Sequence, residues 1–246
     1  MRYALLADIH SNLAAFEAVL VDIKSKGEIA AIWCLGDIVG YGPDPVECIQ
    51  LLRQQPHVCI AGNHDWAAIG RLDTSDFNPA AADAARWTGQ QLGKDEIEYL
   101  QSLPLSLEQD NFTLVHGSPR EPIWEYLVSI EDARDNLAYF QTSHCVVGHS
   151  HLPLVFECAQ GDCHLRKLPE ASSLDLSKVG ERRLIINPGG VGQPRDGDPR
   201  ASYAIYDSQA ETIHHYRVEY DIQATQRKML RYSLPESLAL RLSYGW

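Results

Sequence analysis

Through the first sixty residues, short apolar runs alternate with stretches whose apolar residues recur every three or four positions. Tyr3 to Ala7 is an apolar run that stops abruptly at Asp8-Ile9-His10. Leu13, Phe16, Leu20 and Ile23 then follow at helical spacing, which predicts an amphipathic helix. Ala30 to Leu35 reads as a second buried strand ending in Gly36-Asp37, and His57 to Ala61 as a third ending in Gly62-Asn63-His64-Asp65. Between them Asp44-Pro45-Val46-Glu47 has the spacing of a capped helix start, with Asp44 as N-cap, Pro45 at N1 and Glu47 at N3. A βαβαβ beginning of this kind places polar clusters at the carboxyl ends of the strands, where open α/β sheets bind ligands.

The alternation breaks between about residues 66 and 104. Asn78-Pro79 caps an Ala-rich helix and Lys94 to Leu103 gives another, so this stretch is expected to be a helical insertion, either a lid over the strand ends or a structural elaboration. Strand signals return at Asn111 to Val115, before His116-Gly117, and at Cys145 to Val147, before Gly148-His149-Ser150-His151. Ser129-Ile130-Glu131-Asp132 opens a helix running to about Phe140. Short strands then recur at Val155–Cys158, His164–Leu168, Leu184–Ile186, Tyr203–Tyr206 and Ile213–Tyr220, several with hairpin alternation, and a helical stretch begins near Asp221. Two mixed β-sheets packed face to face with helices outside both bury all these strands. The expected fold is therefore α/β, a four-layer αββα sandwich with a small helical insertion, in one domain spanning residues 1–246. Apolar groups in Leu234 to Trp246 are expected to pack on the body or to form a contact between subunits.

The formal net charge of −12 disfavours nucleic-acid backbones and anionic membranes as bulk partners. It leaves room for an anionic small molecule, because bound cations can invert the potential inside one cleft. The run before Asp8 is too short for a signal peptide or a membrane span, so a cytoplasmic protein is expected. Of six cysteines, Cys34, Cys48, Cys59 and Cys145 stand in apolar surroundings and read as reduced core thiols. Cys158 and Cys163 are spaced so that a hairpin can bring them opposite each other.

Each strand-end motif is weak alone. Asp8-x-His10 also suits a helix cap, Gly36-Asp37-Ile-Val-Gly40 a tight turn, and Gly62-Asn63-His64-Asp65 a hydrogen-bonded turn. His116-Gly117 says little, while His149 and His151, two residues apart, point the same way if the segment is extended. Together, five strand ends supply two carboxylates, an amide oxygen and four imidazoles, with no cysteine. That mixture suits divalent Mn, Fe or Zn, and it exceeds one ion's needs but fits two ions sharing a carboxylate.

The ordered set D-x-H, G-D-x-x-G, G-N-H-D, H-G and G-H-x-H resembles the signature of the calcineurin-like metallophosphoesterase superfamily. The stretch DIHSNLAAFEAVL, with GDIVGYGPDP and the Asn187-Pro-Gly-Gly190 loop, is similar to its compact bacterial branch. The resemblance implies that Asp8, His10 and His151 hold one ion, that Asn63, His116 and His149 hold a second, and that Asp37 bridges both. It implies hydrolysis of phosphoesters, diesters or monoesters, by a hydroxide bridging the ions, with the non-ligand His64 beside the phosphoryl group. Asp65 is a weak candidate to orient His64. The chain lacks the D-R-G continuation of the large Ser/Thr phosphatases, which argues against protein-phosphatase-like substrate handling. Outside the ligand set, Asn187 to Arg195 is a glycine-rich loop with one basic residue. It is expected either to bring backbone N–H groups and Arg195 to a substrate phosphate or to be a plain surface loop. Tyr41, Trp66 and Trp124 are read as lining a substrate face or, in preference, as core or lid packing.

Two further functions share the fold: cleavage of dinucleoside polyphosphates, and a non-catalytic scaffold such as the retromer subunit of this architecture. Every ligand position holds a competent residue, which favours an enzyme. The sequence leaves the oligomeric state open.

Overall fold

A computed structural model describes residues 1–177 and 182–246. Among these residues, twelve strands form two six-stranded mixed sheets. In the first, β1 (Arg2–Leu6) lies between β2 (Ala31–Cys34) and β11 (Ala201–Asp207). β3 (His57–Cys59) forms one edge, while β12 (Thr212–Val218) and β9 (Ser173–Asp175) extend the other side. β1, β2 and β3 run parallel, and the C-terminal strands pair antiparallel to their neighbours. The second sheet has the order β4 (Ser106–Gln109), β5 (Phe112–Val115), β6 (His144–Val146), β10 (Arg182–Pro188), β7 (Pro153–Ala159), β8 (Asp162–Lys167).

Both faces of the first sheet are buried, which is why β1 reads as a continuous apolar run. Tyr3, Leu5 and Ala7 face inward and, with Trp33 and Leu35, meet Phe112, Leu114, Val146, Leu184 and Ile186 of the second sheet. The alternate residues Ala4 and Leu6 face outward, into a cluster with Phe16, Val19, Leu20 and Ile23 of α1 (Leu13–Ser25) and Ile49 and Leu52 of α2 (Pro45–Arg53). On the far face of the second sheet, Val115, Cys145, Val147 and Phe156 pack beneath α6 (Ile130–Asn136) through Ala133. The result is the expected αββα layering.

Between β3 and β4 stand α3 (Asn63–Ala68), α4 (Pro79–Gln91) and α5 (Lys94–Ser102). Leu100 of α5 belongs to the outer core of the first sheet, so that part of the stretch is ordinary packing. α4 instead joins Tyr41 and the C-terminal helices α7 (Ile222–Arg231) and α8 (Glu236–Arg241) in a separate cluster that includes Met229, Leu238 and Leu242. The C-terminal segment thus packs on the body of its own chain, with Leu240, Tyr244 and Trp246 left exposed.

Several local expectations change. Asp44 does occupy the N-cap of α2, but its side chain caps no N–H there. Its carboxylate pairs with Lys228 of α7 instead, a tertiary partner invisible to local spacing. The helix from Ser129 keeps its capping box but ends at Asn136, followed by a 3-10 turn over Leu137–Tyr139. Cys158 and Cys163 are joined in the β7–β8 hairpin, while the other four cysteines are free and buried.

Candidate metal centre

All the strand-end motifs converge at one end of the sandwich. Asp8 and His10 follow β1, Asp37 follows β2, and Asn63 and His64 open α3 just after β3. His116 follows β5, and His149 and His151 follow β6. These eight side chains are at most 4% exposed. Two compact triads emerge, Asp8–His10–His151 and Asp37–His116–His149, each with its ligand atoms within 4.8 Å of one another. Each triad takes residues from both sheets.

The carboxylates share one design. Asp8 Oδ1 accepts the His149 N–H at 3.1 Å and Asp37 Oδ1 accepts the His64 N–H at 2.8 Å. The second oxygen of each, Oδ2, is buried and meets no hydrogen-bond partner among the described residues. Asp37 Oδ2 lies 3.6 Å from His10 Nε2 and 3.3 Å from His116 Nε2, so it stands between one imidazole of each triad. Asn63 Oδ1 reaches the second triad, 3.1 Å from His116 Nε2.

The imidazoles are held from behind, each by a backbone carbonyl. His10 Nδ1 lies 3.1 Å from Val39 O, His116 Nδ1 2.7 Å from Leu35 O, and His151 Nδ1 2.5 Å from Gln193 O. In His149 the roles are reversed, with Nε2 3.1 Å from Trp124 O. A carbonyl accepts only, so each of these nitrogens carries the hydrogen and, in the neutral ring, the other nitrogen presents a lone pair. The lone pairs of His10 Nε2 and His151 Nε2 then face each other at 3.2 Å. Facing acceptors beside orphaned carboxylate oxygens repel one another unless a cation lies among them. The donor set therefore fits divalent metal ions.

The electrostatics agree for three of the four ligand imidazoles. Burial holds His10 and His151 well below the usual histidine range, and lowers His149 to about 3 and His64 to about 4. Neutral imidazoles are the ligating form. For His116 burial opposes protonation, but the carboxylates of Asp37 and Asp8 outweigh it and lift the ring to about 9. Burial raises Asp8 to about 7. It also opposes the charge on Asp37, yet His116 and His64 hold that carboxyl low. A proton on His116 offsets part of the negative charge that a metal ion would otherwise neutralise.

Backbone geometry is unusual here. Asp8, His10, Asp37, His149 and His151 have φ of 56°, 49°, 53°, 64° and 58°, the left-handed region that non-glycine residues seldom enter. His149 and His151 therefore do not share a direction, as an extended segment would require, and turn into different triads. Gly40, at φ 92°, leaves space for His64, since a Cβ there would sit 2.6 Å from the ring Nδ1. Asp65 does not orient His64. Its carboxylate accepts the N–H groups of Asp37, Val39 and Gly62 at 2.8, 3.1 and 2.9 Å and so braces the loop that carries Asp37.

Comparison with known proteins is decisive for the family. Residues 1–211 match the calcineurin-like phosphoesterase superfamily domain. The chain belongs to that superfamily. It is 40% identical to an uncharacterized protein of Methanocaldococcus jannaschii, over 98% of this chain and 97% of that one. It is 26% identical to the symmetrical bis(5′-nucleosyl)-tetraphosphatase of Erwinia tasmaniensis, over 74% of this chain and 64% of that enzyme. Among solved structures, a metallophosphoesterase from Sphaerobacter thermophilus superposes with a TM-score of 0.88 at 46% identity, covering 100% of this chain and 99% of that one. A protein from Pyrococcus horikoshii shares the fold, with a TM-score of 0.81 at 22% identity, over 100% and 98% of the two chains.

This calcineurin-like phosphoesterase is thus a metal-dependent phosphoester hydrolase of a divalent-metal-dependent family, with two triads as candidate ion sites. No helix among the described residues is long and apolar enough to cross a membrane. The residues singled out beyond the ligand set take separate places. Asn187 donates to Gly148 O at 2.6 Å and to Ser150 Oγ at 3.0 Å, fixing the loop of His149 and His151 from beneath. Tyr41 packs its ring 4.6 Å from His10 and 4.3 Å from His64. Arg195 lies at the same site, with Nη2 3.3 Å from Tyr41 Oη and 3.1 Å from Gln193 Oε1. Trp66 points elsewhere, stacked under the Arg71 guanidinium.

Proposed function

We propose that this phosphoesterase hydrolyses small phosphodiesters or phosphomonoesters at two divalent ions, Mn, Fe or Zn. Asp8, His10 and His151 hold the first, and Asn63, His116 and His149 the second, with Asp37 shared. The observation that carries this reading is the position of Asp37 Oδ2, orphaned and within 3.6 Å of an imidazole from each triad. When bound, such a pair of ions supplies the Lewis acidity that phosphoester hydrolysis needs.

The residues around the pair have separate tasks. His64 is buried with Nδ1 unpaired among the described residues, its backbone N–H tied to Asp37. That supports a role at the leaving oxygen, where it donates a hydrogen bond or a proton. Arg195, whose buried Nε also meets no partner among the described residues, supplies positive charge to a non-bridging phosphoryl oxygen. Likeness to the Erwinia tasmaniensis tetraphosphatase favours a second reading, a dinucleoside polyphosphate substrate at the same centre.

The test is to strip the protein of metal, restore Mn²⁺, and assay bis-p-nitrophenyl phosphate beside p-nitrophenyl phosphate. Metal-dependent release from either supports the centre and sorts diester from monoester preference. No release from either, with two ions bound per chain, moves the reading to dinucleoside polyphosphates, which are assayed next. His64→Ala is expected to bind metal normally and to lose turnover by about a hundredfold or more. Wild-type turnover in that variant would remove His64 from the chemistry.

A further inference from the structure

Two aromatic side chains beside the metal centre lie apart from the apolar cores. Trp124 and Tyr126 lie on the segment between β5 and α6, and among the described residues neither joins a hydrophobic core cluster. Tyr126 lies flat on the candidate ligand His149, with ring centroids 4.0 Å apart and planes 20° from parallel, yet the residue is 47% exposed. Trp124 is half-buried and meets Phe77 edge to face at 5.3 Å, and Phe77 in turn lies 4.8 Å from His64. The Trp124 carbonyl is the group that holds His149 Nε2. One backbone segment therefore fixes a candidate ligand, while its Trp124 ring meets the loop before α4 on the His64 side and its Tyr126 ring covers His149.

Aromatic faces open to solvent bind planar rings of many kinds by stacking. The rings stand next to His64, the group assigned to the leaving oxygen. We propose that Phe77, Trp124 and Tyr126 form a leaving-group subsite for a planar ring, such as the base of a nucleoside ester. The substrate ring stacks on Trp124 in place of the Phe77 edge contact, and Tyr126 borders it on the His149 side. This inference rests on the phosphoesterase reading of the metal centre and adds a substrate class to it: esters whose leaving alcohol carries an aromatic base, in preference to sugar or alkyl esters.

The methyl phosphodiesters of adenosine 5′-phosphate and ribose 5-phosphate present the same leaving primary alcohol with and without the base. The Mn²⁺-loaded wild type is expected to favour the adenosine ester by roughly tenfold in kcat/KM, and Trp124→Ala to erase most of that preference. Trp124→Phe, which keeps a flat ring, should restore it. Absence of a preference in the wild type, or an equal loss on both esters in Trp124→Ala with Trp124→Phe no better, overturns the subsite. Calorimetric binding of adenosine 5′-phosphate and ribose 5-phosphate separates the two claims. If neither diester is cleaved but adenosine 5′-phosphate binds more tightly through Trp124, the subsite stands and the diesterase reading falls. If the two phosphates bind equally, the subsite falls whatever the enzyme hydrolyses.

Discussion

The same two sheets are joined in opposite ways at their two ends. Near the start of β1, Tyr3 stacks on Trp33 at 4.6 Å, Trp33 meets Phe112 at 5.4 Å, and Phe112 meets Tyr206 at 4.7 Å. These rings link the first sheet to the second by apolar burial and ring packing, and they need nothing from solution. At the other end the link is made of carboxylates and imidazoles whose free atoms confront one another, on five residues of left-handed backbone. Strained residues of that kind cost on the order of 1–3 kcal/mol each and persist only where surrounding structure enforces them. One end contributes stability and the other spends it on a binding geometry, which is the division expected of an enzyme scaffold.

The contrast can be broken at either end. Replacing the shared carboxylate, Asp37→Ala, should lower metal-dependent kcat/KM by about a thousandfold, with the fold intact by circular dichroism. Residual activity above a tenth of wild type would show that the triads work without it. Trp33→Ala, at the opposite end, should remove about 3–5 kcal/mol of stability in urea unfolding and leave turnover of the still-folded fraction nearly unchanged. A parallel fall in turnover would mean that the ends are mechanically coupled. Chelation should have the mildest effect: two ions, each present at about ten times its dissociation constant, together contribute about 2.8 kcal/mol, so removing them lowers Tm by roughly 6–11 °C. An unchanged Tm would indicate that the facing lone pairs are relieved by rearrangement or protonation.

Much of this was legible in the sequence because the governing signals are local. Buried strands announced themselves as apolar runs, α1 as a three-four spacing, and the ligand types as polar residues at strand ends. What escaped depends on partners distant in the chain. β4 and β9 are short edge strands, partly exposed, and lack the apolar run of an internal strand. The stretch assigned to an insertion from residue 66 starts earlier as helix, since Asn63 and His64 form the first turn of α3. Asp44 found Lys228, and Asp65 turned to three backbone N–H groups rather than to the neighbouring His64. The placement of β11 against β1, which closes the first sheet, follows from pairing two hundred residues apart, as in Arg2 with Asp207. Spacing alone also gave no hint that His149 and His151 would diverge, because their backbone angles are set by the loop around them.

That each triad draws on both sheets also bears on how the protein is made. His10 and His151 are 141 positions apart, and neither triad is complete until the residues after β6 have left the ribosome. Even then β1 lacks its second neighbour, because β11 begins only at Ala201. A nascent chain can therefore offer an ion only partial ligand sets during most of its synthesis. A complete ligand set exists only after the residues following β6 have been made, so metal capture is expected late in synthesis and not as the nucleus of folding.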